Sequence, residues 1–126
     1  MEFNQYNTTV QQWIHTVLEN RETNADVVLE CCRDIIAYGR KTDDPKLMGF
    51  GFFYGGEIYY ELNDGAHFFH MMTEALTYLD RAEEWELVVR CYNFLGIASM
   101  SRGNPSLALD YYTVSYTHLR AHETEA

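Results

Sequence analysis

The chain has 126 residues, with 19 acidic against nine basic side chains for a net charge of −10, 47% hydrophobic and 15% aromatic content, and only two prolines. That is enough apolar material for one folded, mainly helical domain, and with no Lys/Arg cluster to displace counterions it excludes a nucleic-acid backbone as partner. No apolar run reaches membrane length and no charged-then-apolar leader is present; the three cysteines, two of them adjacent at Cys31 and Cys32, make no disulfide framework, so a cytoplasmic chain without membrane contact is expected.

A first helix is expected from Asn7 or Thr8, where Thr8 and Gln11 have capping-box spacing, to about Asn20, with Val10, Trp13, Ile14, Val17 and Leu18 on one face. The Thr23 to Asp26 segment starts a second helix striped by Val27, Val28, Cys31, Ile35 and Ile36, with Gly39 as its stop. Asp44 as N-cap and Pro45 as first helical residue open a third. Its continuation, LMGFGFFYGGEIYYEL, is ambiguous: Phe and Tyr favour strands, and four glycines weaken a helix by roughly 1 kcal/mol each.

The repeat decides for helix. Shifting the chain by 40 residues puts Gly56 on Gly96, Phe52 on Tyr92, Asn63 on Gly103, Phe68 on Ala108 and Met72 on Tyr112, while Ala75 takes a small-residue place in the helix after. Thr16, Val28 and Cys32 keep that register in the first unit. The fourth helix, Asp64 to Asp80, buries Phe68, Met71, Met72, Ala75, Leu76 and Leu79; the fifth opens with Glu83, Glu84 and Glu86 at its positive end and runs to Ser101. The expected fold is all-α: about three antiparallel helical hairpins, six helices, stacked as a solenoid.

The stretch YNFLGIASMSRGNPSLALDYY, Tyr92 to Tyr112, resembles one tetratricopeptide (TPR) unit. Tyr92, Leu95, Gly96, Gly103, Ala108 and Tyr112 stand at that spacing; Ser99 replaces the usual aromatic. The resemblance implies a right-handed solenoid. Gly96 and Ala108 would be small residues at a helix crossing, Gly103 a left-handed helix end, and Asn104–Pro105 the next start. The 40-residue period exceeds the TPR norm of roughly 34 and also suits HEAT-type repeats. On this reading residues 1–113 form the repeat domain. Residues 114–126 are a non-native tail, because VSYTHLRAHET resembles translated sequencing-adapter DNA and the apolar stripe stops after Tyr112.

Catalytic chemistry has no footing in the sequence. No nucleophile elbow or phosphate loop occurs, and no cofactor is expected. His67, His70 and Glu74 could share a helical face as metal ligands, but no fourth ligand is evident; the three cysteines read as small core residues. FYGGEIY, Phe53 to Tyr59, resembles the GGDEF signature of diguanylate cyclases, yet Ile58 replaces its second acid, so Gly55 and Gly56 read as packing residues.

Residues 1–113 as a whole resemble the TPR-like region that precedes cyclase domains in bacterial signalling proteins. That resemblance implies a protein- or peptide-binding regulatory module. The alternatives are the input region of an intact diguanylate cyclase, or of a peptide-sensing transcriptional regulator. In TPR arrays the first helix of each hairpin lines the groove, which makes Phe53, Glu57 and Tyr60, with Arg90, Asn93, Ile97 and Met100, the candidate groove residues. For Ile97 and Met100 inter-helix packing is the preferred reading. Arg90 and Asn93, one turn apart, could hold a peptide carboxylate or backbone. The open end of the array could pair two copies.

Overall fold

The structure, a computed structural model, describes residues 1–122. It contains six helices and, among the described residues, no strand: α1 Thr8–Asn20, α2 Ala25–Lys41, α3 Pro45–Glu61, α4 Gly65–Arg81, α5 Trp85–Ser101 and α6 Pro105–His122. Consecutive helices pack against each other along the chain, as a helical-hairpin repeat requires. The aromatic, glycine-rich segment is helix α3, so the repeat outweighs local strand propensity there.

From α3 onward every helix begins 20 residues after the one before it. The connectors explain this regularity. Asp43, Asn63, Glu83 and Gly103 adopt left-handed backbone angles, φ 52°, 60°, 56° and 75°. The next residue's N–H returns to a carbonyl five positions back: Asp44 to Gly39, Asp64 to Tyr59, Glu84 to Leu79 and Asn104 to Ser99, at 2.8–3.0 Å. This arrangement is the Schellman helix end. The same residues then open the next helix: side-chain oxygens of Asp44, Asp64 and Asn104 accept from the N–H of Leu47, His67 and Leu107. One three-residue turn thus satisfies the orphan groups of two helix ends and reverses the chain. Glu84 makes no such side-chain bond.

Two local expectations are corrected. Asn7, not Thr8, caps α1, its Oδ1 accepting from Val10 N–H at 2.9 Å. Gly39 does not stop α2: it is buried inside the helix, where a Cβ would stand 2.9 Å from Met48 Cγ, and the stop lies at left-handed Asp43. Helix α2 needs that glycine because α3 crosses it closely.

Helix α3 is the centre of the core. Leu47 to Ile58 are buried without interruption, because α2 and α4 cover two sides while Arg21, just past α1, and side chains of α5 close over the rest. A Cβ on Gly49 would lie 2.6 Å from Leu79 Cδ2, and one on Gly51 2.6 Å from Ile36 Cγ1. The 40-residue register also holds contact by contact: Gly56 faces Met72 of α4, and Gly96 faces the Tyr112 ring of α6. Ala75 and Ala108 are both buried, Leu95 is core, and Tyr92 is half-buried with its ring 6.5 Å from Tyr111. Ser99, at the expected aromatic position, is buried with its hydroxyl donating to Leu95 O.

Helix α6 continues past Tyr112 to His122. Its apolar stripe does thin out there, yet Ser115 is buried, donating its hydroxyl to Asn93 Oδ1 at 2.8 Å, and His122 stacks on Trp85 at 4.0 Å between ring centroids. The last four residues of the expected tail, Glu123 among them, lie outside the described residues.

Candidate functional site

The first helices of the three hairpins meet through one charged cluster. Arg21, just past the end of α1, donates Nε and Nη2 to Glu57 Oε1 and Oε2 at 2.8 and 2.7 Å, a bidentate pair. Arg90 of α5 reaches the same Oε2 at 3.5 Å from the other side. Only 12% of the Glu57 side chain is exposed. A carboxylate so placed needs opposite charge and hydrogen bonds to offset its lost hydration, and two guanidiniums supply both. The pair holds Arg21 charged: the Glu57 hydrogen bond, its largest influence, raises the guanidinium pKa against the opposing effect of burial. Each guanidinium also lies over an aromatic face, Arg21 over Tyr54 at 5.0 Å and Arg90 over Phe53 at 4.8 Å. Hairpin one is therefore tied to hairpin two, and hairpin two to hairpin three, at a single side chain.

The expected groove residues divide. Phe53 is fully buried and lines no surface; its ring packs edge-on against Phe94 of α5 at 6.0 Å. Tyr60 stays half-buried, between Phe68 and Phe94. Asn93, an exposed residue, engages Ser115 of α6, while its neighbour by one turn, Arg90, turns to Glu57. Ile97 and Met100, expected to pack between helices, are instead 42% and 55% exposed. Arg21 escaped the sequence reading because the repeat does not mark it: the residues 40 and 80 positions on are Glu61 and Ser101.

Two open clefts flank this line. One, of about 540 Å³, lies where the end of α1 and start of α2 meet the end of α3, with Arg21, Glu22, Glu57 and Glu61 on its walls. The other, of about 380 Å³, lies one hairpin on, with Tyr59, Tyr60, Phe68, Phe69 and Arg102. Both are within the size range of ligand pockets.

The groups considered as metal ligands do not converge. His67 binds Asp64 at 2.8 Å and stacks on Tyr59, whereas His70 turns edge-on to Phe52 of α3. His118 and His122 gather around Trp85. Among the described residues no three His, Cys, Asp or Glu side chains group to hold an ion. Cys32 and Cys91 are buried and Cys31 half-buried; burial pushes the Cys91 thiol up to about 12 and raises that of Cys32 as well. No helix among the described residues is long and apolar enough to cross a membrane. No protein-family model matches the chain, and no curated protein or solved structure does so either.

Proposed function

We propose that the chain is a TPR-like protein- or peptide-binding module, serving as the regulatory or sensory part of a cytoplasmic bacterial signalling protein. One observation carries the binding reading: the hairpins' first helices, joined through Arg21, Glu57 and Arg90, present two clefts and the exposed side chains of Ile97 and Met100 along their C-terminal halves. A buried, satisfied charge cluster beside open, partly apolar clefts supplies a rigid seat for an extended segment. Selection from a random peptide display library, followed by amide-shift mapping of the selected peptide, tests it. Shifts at the C-terminal ends of α1, α3 and α5 are expected; failure to select any binder, or shifts confined to α2 and α4, would count against it.

The signalling role rests on the resemblance of residues 1–113 to regions ahead of cyclase domains, and the genomic reading frame after Thr113 tests it. A diguanylate cyclase domain there makes the intact protein an enzyme with this array as input. A DNA-binding domain in the intact protein supports the transcriptional-regulator alternative.

A further inference from the structure

Because the hairpins recur every 40 residues, the side chains by which the second receives the third identify those that the third turns to its open side. Glu57 takes Arg90 at 3.5 Å, Tyr60 packs on Phe94 at 5.5 Å between ring centroids, and Phe69 lies under the Arg102 guanidinium at 4.4 Å. Adding 40 gives Ile97, Met100 and Leu109. Glu57 is buried and Tyr60 and Phe69 are half-buried, whereas Ile97, Met100 and Leu109 are 42%, 55% and 65% exposed.

The chemistry at these places differs as well. Ile97 has no carboxylate for an incoming guanidinium and Leu109 has no ring to lie under one, so the charged contacts of the preceding junction have no counterpart. What this face gains from being covered is the burial of apolar surface. Among the described residues, eight of the 11 large apolar side chains left exposed lie between Ile97 and Leu119, which makes the end of the array a patch rather than scattered residues.

Charge and the opposite end of the array choose the occupant. Residues 1–84 carry 15 acidic and six basic side chains, and residues 85–122 only two acidic and three basic. Two chains of net charge −10 can therefore meet through their third hairpins with most of their acidic residues held apart. At the other end, α1 exposes Thr9, Gln11, Gln12, His15 and Glu19 beside Leu18, a polar surface that an apolar patch gains little by covering. Like ends pair in a closed two-fold contact, whereas head-to-tail stacking would run on as a filament.

We propose that the chain pairs with a second copy of itself through this end face, Ile97, Met100 and Leu109 of one copy burying against the same patch of the other about a two-fold axis. All three precede residue 114, so the contact does not depend on the segment that resembles adapter DNA. Helices of 17 and 18 residues are about 26 Å long and together about 20 Å wide, which gives a footprint of about 500 Å² per copy. About 1,000 Å² in total lies at the low end for a specific contact, so a dissociation constant of about 10–100 μM is expected. Neither cleft is lined by these three residues, so pairing goes beyond the peptide-binding reading and is tested apart from it.

The test is sedimentation equilibrium of the full chain from about 1 to 300 μM, a range that brackets the expected constant. The mass should rise from 14.7 kDa toward twice that value and stop there. Amide shifts of Ile97 to Met100 and Leu107 to Tyr112 should move with protein concentration while those of α1 stay fixed. Ile97→Glu and Met100→Glu alter exposed side chains and leave helical dichroism unchanged, and each should weaken pairing at least about tenfold by setting carboxylates into the apolar contact. Leu18→Glu at the opposite end should leave it unaltered. Added salt should strengthen pairing, since it screens the repulsion between two acidic chains and leaves apolar burial in place. A 14.7 kDa species at every concentration, growth past the dimer, a dimer indifferent to both glutamate variants, or one weakened by Leu18→Glu or by salt would overturn the proposal. Failure of peptide display with the dimer intact removes the peptide-binding reading alone; a monomer that still selects peptides removes the pairing alone.

Discussion

Arg21→Ala isolates the charged cluster. Truncation leaves Glu57, whose side chain is 12% exposed, without its bidentate partner. Stranding one member of a buried pair costs about 3–5 kcal/mol. Two features here reduce that: the Arg21 side chain is 29% exposed, and Arg90 remains 3.5 Å from the same carboxylate oxygen. A loss of about 2–3 kcal/mol remains. In a domain of this size each kcal/mol moves the Tm by roughly 3–5 °C, so thermal unfolding followed by circular dichroism should show a drop of about 6–15 °C. The double variant Arg21→Met with Glu57→Leu removes charge and partner together, and apolar replacement of a buried pair is often neutral. It should unfold within about 1 kcal/mol of the wild type. A single variant costing under about 1 kcal/mol, or a double variant as unstable as the single, would refute the claim that Glu57 is buried at the expense of its hydration and held by Arg21.

The remaining predictions concern packing, the C-terminal segment and ionisation. Gly96→Leu should lower the Tm through overpacking, by about 1–3 kcal/mol, with the exposed Tyr112 ring swinging outward to relieve part of the strain. Gly49→Leu should cost more, since Leu79 is fully buried and its backbone nitrogen stands 3.2 Å from the new Cβ; equal losses would contradict the contrast. If residues 114–126 are foreign to the fold, their deletion leaves helical dichroism per residue equal or higher. Trp85 emission should then move to the red as His122 leaves its indole, and lost cooperativity would instead make the segment integral. Ellman's reagent at pH 8 should read Cys31 before Cys32 and Cys91, because burial keeps the latter two protonated; three equally fast thiols would show an open core. The Asp64 carboxylate is held below its ordinary value by the backbone N–H and imidazole of His67. Its contribution is therefore present above the unfolded pKa of about 3.9 and is lost as pH falls through the folded one. The stability gap between wild type and Asp64→Asn should close on acidification, and a gap that widens would reverse the sign.

Much of the fold is written in local pattern. Asp44–Pro45 and Asn104–Pro105 mark helix starts, Gly103 marks an end, and the 40-residue recurrence carries the helical reading through the strand-like α3. The same recurrence places Gly56 on Met72 and Gly96 on Tyr112, because repeats at a fixed period must reuse the same crossing. Gly39 misleads for the complementary reason: glycine serves both helix ends and close approach, and its own sequence neighbourhood does not distinguish them. Asp43, Asn63 and Glu83 take the left-handed positions that glycine occupies at 103, so composition alone understated the regularity of the turns.

The site was legible only in part. Glu57 and Arg90 fall on the expected helices, while Phe53 is core and Asn93 faces α6. Sequence alone determined that the chain is tandem helical hairpins in a definite register, because helix periodicity, caps and turn residues act over a few positions and are visible in a linear string. Only the tertiary structure decided that Arg21 grips Glu57 across 36 residues, that Arg102 lies over Phe69, and which apolar side chains remain outside. Those outcomes depend on how one hairpin lies over the next, and that geometry is set by side-chain volumes at crossings far apart in the chain.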